Sequence, residues 1–472
     1  MPGAPTGLLG KLSAERPILV TGVLLLGALV LCLVGLREAD SAESYSVLSN
    51  LVFAGLFVLC APIMLAAFAP ERPILRFAFL CVTIIAGAGL SAAALGAFEI
   101  PGVYFAPLIA LSGFGLFMFL IVLAPLTRNA VRLGVAAPFA ALIGAVGGLG
   151  VFAIQDILTS PLSAASVAIA LAGGVTIGAG IGADFAQYFA KGMTPRKAAA
   201  AAGHGGVAPA AFCVLVAAAY AALTSFHANF GRINIMDVAS AGSVVLLASL
   251  MALVGTTSAL ALRGAGEQTA VDENRRRQRF VESWKPVRKL LPSTTAFAVS
   301  AIAAIMVVIA GFEVGVETPG SLLAFIVVVL CVSGLAFVSI RTSLLIAVLL
   351  LLSTLFAHYL YEIFSLPKPD APARFAALAL AAIAFSQITV SWRNAGDIWR
   401  NARDVAQNAM CDGLRRFLVS LGAGSAALVA SSAAFMWSEG GVTAAYLIII
   451  CSIGLLLSPA FMIALSARTQ DY

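Results

Sequence analysis

The sequence predicts an all-α polytopic membrane protein of about fourteen transmembrane helices, two N-terminal ones followed by two parallel six-helix repeats. Three observations carry this reading. Of the 472 residues, 61% are hydrophobic and only 11% charged, with a mean hydropathy of +1.02. Apolar runs of about twenty residues, long enough to cross a bilayer core as a helix, recur along the whole chain. A β-barrel would instead carry short alternating segments, and none appear.

Taken in order, the expected spans are 17–36, 47–69, 75–98, 104–127, 133–155, 164–190, 207–226, 237–262, 294–312, 321–340, 342–361, 374–392, 414–435 and 442–466. The first follows Lys11 and Arg16, and the Arg37, Glu38, Ala39, Asp40 stretch after it offers no small-x-small cleavage site, so it reads as a retained span. Loop charges orient the chain. Arg72, Arg76, Arg128, Arg132, Lys191 to Lys197, "RRRQR" at 275–279, Arg341, the arginines of 393–416 and Arg468 fall on one side. Asp40, Glu43, Glu99, Asp156, Glu313, Glu317, Glu362 and Glu439 fall on the other. The positive-inside rule then places both termini in the cytoplasm, here of a bacterial inner membrane. The net charge of +6 is spent in those loops and does not point to nucleic acid.

The hydrophilic stretch 264–293 reads as a basic cytoplasmic linker, and it separates two halves with the same order of features. "GAFEIPGVYFAPLIAL" follows the span at 75–98, and "GFEVGVETPGSLLAFI" follows that at 294–312. Each half continues through an Arg-bearing turn, a polar outer loop, a small-residue span, a basic cytoplasmic segment and two closing spans. This divides the chain into a two-helix extension (1–73), a first repeat (74–263), the linker and a second repeat (294–472). The segments 193–209 and 394–417 follow the small-residue spans. In the second, Ile398, Trp399, Val405 and Met410 share an apolar face with Arg400, Arg403, Arg415 and Arg416 elsewhere, which suits either an interfacial helix or a connecting helix packed under the bundle.

"GAGIGADFAQYFAKG" (178–192) holds the sharpest chemical signal. Asp184 lies in an apolar run, where a carboxylate is costly and marks a candidate functional residue. Thr176, Gly180 and Tyr188 lie on its helix face at intervals of four. Gly178, Gly180 and Gly182 would let neighbouring helices approach closely. Low dielectric disfavours the charged form of a carboxylate, the property a proton carrier needs. Position alone equally suits a hydrated, merely structural Asp184, close as it is to Lys191. The seven cysteines and three histidines are scattered without metal-ligand spacing, so no metal and no cofactor are expected. No Walker A, HExxH or GxSxG motif is present, so neither an ATP-driven pump nor an enzyme is expected.

The helix ending "GAGIGADFAQYF", the basic "TPRKAAAAAGHGGVAPAAF" after it and the duplicated helix order resemble the membrane domain of the resistance–nodulation–division (RND) superfamily, in its MMPL and sterol-sensing-domain-like branch. "GIGAD" at 180–184 matches the family's glycine-rich aspartate motif, with Phe185 where a tyrosine usually stands. The resemblance implies proton-coupled transport or flipping of a hydrophobic, lipid-like substrate, with Asp184 titrating beside Tyr188. Family members insert large extracytoplasmic domains where this chain has only "GAFEIPGVY" and "GFEVGVETPGS", so membrane lipids and a separate extracytoplasmic or membrane protein are the expected partners. Gln387 stands at the position of Asp184 in the second repeat, which cannot carry a proton there. A non-transporting scaffold or assembly factor is the alternative reading.

Overall fold

The computed structural model describes residues 8–38, 130–155, 160–190, 192–229, 232–263, 319–396 and, with short gaps, 413–467. All of the described secondary structure is helical. The helices are α1 (Leu8–Glu15), α2 (Pro17–Glu38), α3 (Ala130–Ile154), α4 (Pro161–Ala190), α5 (Pro195–Gly205), α6 (Val207–Ala228) and α7 (Ile235–Arg263), then α8 (Pro319–Phe337), α9 (Ile340–Ile363), α10 (Ala371–Gly396) and α11 (Gly440–Ala467). Residues 416–425 are also helical. Seven candidate spans are long and apolar enough to cross a membrane among the described residues, one of them combining α5 and α6, and two shorter apolar helices accompany them. The expected spans at 47–69, 75–98, 104–127 and 294–312, and the linker 264–293, lie outside the described residues. Apart from the span at 414–435, which is described only in part, the expected spans within them agree with the observed helices to within a few residues.

Local chemistry sets the ends of α4. Ser160 caps its start by accepting a hydrogen bond from the Ser163 N–H at 3.2 Å, and Pro161 occupies the first turn, where its missing N–H costs nothing. At the other end Gly192 adopts φ +83°, the Gly192 N–H donates to Phe189 O and the Met193 N–H donates to Tyr188 O. This paired closure needs a residue free to enter the left-handed region, hence the glycine. With 30 residues, α4 is roughly 45 Å long, which exceeds a bilayer core of about 30 Å and leaves its last turns near the membrane surface.

Packing follows the distribution of small residues. In a bilayer, helices gain little from burying leucines against one another and associate instead through close backbone contact. Helix α3 uses "GAVGGLG" for this on two sides. A Cβ at Gly144 would lie 2.5 Å from Leu247 O, and one at Gly148 would overlap the Val244 backbone, both on α7. Gly147 and Gly150 meet Ala28 and Leu31 of α2 in the same way. Helix α7 also packs on α4, α5 and α6. Helices α9, α10 and α11 pack on one another and α8 on α9, while α8 and α10 meet α6 and α10 meets α4.

Helix α5 lies in the segment expected to be basic and amphipathic. Its residues Ala198–Gly203 are buried against α1, α4 and α7, so it is a packed connecting helix. Helix α1, which precedes the first expected span, docks on α5 and α7. Replacing Gly148 by Leu should lower stability by about 1–3 kcal/mol through overpacking against α7. Gly22→Leu, on α2 with no atom of the described residues within 4 Å, should leave it unchanged. Thermal unfolding of the two variants in one detergent checks this difference.

Candidate functional site

Helix α4 turns one face, Thr176–Gly180–Asp184, toward the helical residues 416–425. The Thr176 and Ser420 hydroxyls are hydrogen-bonded at 3.0 Å, and Arg416 Nη2 donates to Asp184 Oδ1 at 2.5 Å. The two contacts run antiparallel, with 176 opposite 420 and 184 opposite 416. Gly180 lies between them, and a Cβ there would come 3.6 Å from Arg416 Nη1. The guanidinium thus passes over a residue with no side chain to reach the carboxylate one turn beyond.

Arg416 is aimed by its neighbours. Phe417 is fully buried and stacks on Phe385 of α10, with ring centroids 6.0 Å apart and planes at 17°. Gly413 sits against Ile388 and Ser391 of the same helix. Successive helical residues are rotated by about 100°, so anchoring Phe417 to α10 turns Arg416 toward α4. The Ser420 hydroxyl donates back to Arg416 O at 3.0 Å and ties the two contacts together. On α4, Phe185 is likewise buried and stacks on Phe189 one turn on, with ring centroids 5.8 Å apart.

The pair is half-sheltered, with side-chain exposures of 15% for Arg416 and 16% for Asp184. Asp184 lies about 9 Å from the C-terminal end of α4. Its Oδ2 points to the α5–α6 corner, where a Cβ on Gly205 would lie 3.3 Å away. Gly205 and His204 are exposed there, so the carboxylate lies at the edge of the packed helices. Tyr188, one turn on, is partly buried and within electrostatic reach of Asp184.

The other expected residues fall as follows. Gly178 is a tight packing position, since a Cβ would overlap Ala137 of α3 and approach Thr256 Oγ1 of α7 to 3.1 Å. Gly182, expected to pack in the same way, has open space around it among the described residues. Gln387 is buried on α10, its Nε2 3.4 Å from Ser386 Oγ, and its carbonyl accepts from the Ser391 hydroxyl at 3.0 Å. Among the described residues no group of three or more His, Cys, Asp or Glu is placed to hold a metal.

Arg416 is the residue that sequence reasoning did not assign to the site. It was grouped with Arg415 at the edge of an amphipathic segment. The available signal was its spacing: it lies four residues before Ser420 at the start of an apolar run, on the same membrane side as the C-terminal end of α4.

Fold and site together define a helical membrane protein in which a sheltered ion pair joins two segments distant in sequence. No protein-family model matches the chain, and no curated protein matches it in sequence. Among solved structures it is similar to SecDF, a translocon-associated membrane protein from Thermus thermophilus, with a TM-score of 0.52 and 14% identity over 77% of this chain. The match covers 62% of SecDF, so the chain spans less than two thirds of that protein. The likeness shows the fold alone, a helical membrane architecture like that of SecDF.

Removing either partner leaves the other charge partly desolvated, at a cost below the roughly 3–5 kcal/mol of a fully buried pair. A double-mutant cycle with Asp184→Ala and Arg416→Ala, read by thermal unfolding in detergent, should give a coupling of about 1–2 kcal/mol. Additive single effects would mean that the pair contributes no coupling.

Proposed function

We propose that this chain is a proton-coupled, RND-like membrane translocator or flippase of a hydrophobic or lipid-like substrate, with Asp184 as the residue that takes up and releases the proton. The observation that carries the reading is the Asp184–Arg416 pair. It joins residues 232 positions apart, and among the described residues it is the one ion pair that links separate helices. Protonation neutralises Asp184 and removes the counter-charge of Arg416. The sheltered guanidinium then loses this charge partner, which lowers the cost of its moving away from α4. Arg416 belongs to a segment stacked on α10 through Phe417 and Phe385, so its displacement acts on α10 and the helices packed against it. A ligand or proton shifts a two-state bundle only by its differential interaction with the two states, and the ion pair supplies that difference.

The coupling is one-sided. Gln387, the counterpart of Asp184 in the repeat alignment, has no titratable group and cannot exchange a proton. Tyr188 is placed to respond to the charge on Asp184 without titrating near neutral pH itself. The membrane assigned to the protein is the bacterial inner membrane, with both termini cytoplasmic as the loop charges require. The chemistry has no enzymatic step.

A second reading has its own support. SecDF is described as translocon-associated, and the outer segments "GAFEIPGVY" and "GFEVGVETPGS" are too short in sequence to form a substrate-capturing domain. On this reading the chain is a membrane scaffold or assembly factor, binding lipid or a partner membrane protein, and the ion pair only fixes its helices.

Proteoliposomes loaded with a pH-sensitive dye separate the two. Under an imposed pH gradient the wild-type protein should carry protons, and Asp184→Asn should lower the flux at least about tenfold, a loss expected when an essential proton carrier is removed. Equal flux in the two proteins, both folded, would reject proton coupling and leave the scaffold reading.

A further inference from the structure

We propose that the outward face of α1 is a lipid-binding surface that rests in the headgroup–acyl boundary of the bilayer spanned by α2, beside anionic headgroups. The observation is a reversed amphipathic pattern. Helix α1 buries its small residues, Gly10, Ser13 and Ala14, and turns its leucines outward, with Leu8 76%, Leu9 38% and Leu12 40% exposed. A helix on a water-facing surface does the opposite, because each leucine side chain moved out of water gains about 1.5–3 kcal/mol. Leucines on the outer side are favourable when the surrounding medium is itself apolar.

The leucines cannot turn inward, because the protein-facing side of α1 is already filled. A Cβ at Gly10 would lie 2.5 Å from Ala200 O of α5. The Ser258 hydroxyl donates to Ser13 O at 3.3 Å, and the Thr21 hydroxyl donates to Ser258 Oγ at 3.1 Å. Helix α1 therefore presents one fixed face to its surroundings.

Its position identifies the medium. The Arg16 N–H donates to Leu12 O and the Val20 N–H donates to Arg16 O, so α1 leads directly into the span that begins at Pro17. Exposed apolar residues resume at Ile18 and Leu19 of α2, beyond the exposed Glu15 and Arg16. Charge distinguishes a bilayer surface from a second apolar protein. Lys11 and Arg16 flank the leucines, and Arg196 and Lys197 are exposed on α5, the helix against which α1 packs. The single acid of α1, Glu15, lies 3.9 Å from Lys11 and offsets only part of that charge. An apolar strip edged with cations at the end of a membrane span suits anionic headgroups.

Leu12→Trp in proteoliposomes tests this, with Leu8→Trp on the same face as the alternative should the first fail to fold. The vesicles combine phosphatidylcholine and phosphatidylglycerol, with bromine at carbons six and seven of either lipid's chains. The emission added by the new tryptophan, over that of the native protein, should be quenched by brominated lipid and not by aqueous iodide. Brominated phosphatidylglycerol should quench about twofold more than brominated phosphatidylcholine, and Lys11→Gln with Arg16→Gln should abolish that excess. Quenching by iodide alone would put the face in water. Resistance to both quenchers would put it against a protein, including a second copy of this chain. Equal quenching by the two brominated lipids would remove the anionic preference. Each of these results overturns the proposal as stated.

Discussion

The ion pair between Asp184 and Arg416 is the interaction on which the arrangement of this protein turns. A carboxylate and a guanidinium are both unwelcome inside a bilayer, and each is tolerated here because the other neutralises it. Their meeting requires a glycine at 180 for the guanidinium to pass, a hydrogen bond between Thr176 and Ser420 two turns away, and Phe417 locked on Phe385 to aim Arg416. Most of the surrounding sequence can be read as the means of holding these two charges together near one end of the bundle.

Small residues supply the rest of the construction. The glycines of α3 bring α2 and α7 into backbone contact on two sides, and Gly174 and Gly178 do the same for α4 against α3. The resulting scaffold is close-packed. It leaves Asp184 at the margin of the packed region, where Gly205 keeps one carboxylate oxygen near exposed backbone. At such a margin the pair carries a smaller desolvation cost than it would in full burial.

Much of the fold was legible because hydrophobic run length reports directly on bilayer thickness. The expected spans at 164–190, 207–226, 237–262 and 342–361 correspond to α4, α6, α7 and α9. The polar face of α4 was legible for a related reason: residues at intervals of four share a side of any helix, whatever surrounds it. What faces that side was not legible, since nothing local in the sequence ties Asp184 to a residue 232 positions on. Arg416 resembled the other basic residues of its segment, and only the burial of Phe417 distinguishes it. Helix α1 went unrecognised because it is eight residues long and its leucines face away from the protein. The packing of α5 was not legible because its buried run, Ala198–Gly203, holds only alanines and a glycine, which do not reveal the helices they meet.

The most direct test joins the two sides of the site covalently. In a protein whose seven native cysteines are replaced, Thr176→Cys and Ser420→Cys put thiols where two hydroxyl oxygens lie 3.0 Å apart. The account predicts that mild oxidation of membranes forms this cross-link, that the cross-linked protein stops carrying protons, and that a reductant restores the flux. Failure to cross-link would contradict the register that brings Asp184 to Arg416. Undiminished flux through the cross-linked protein would contradict a mechanism in which the pair separates.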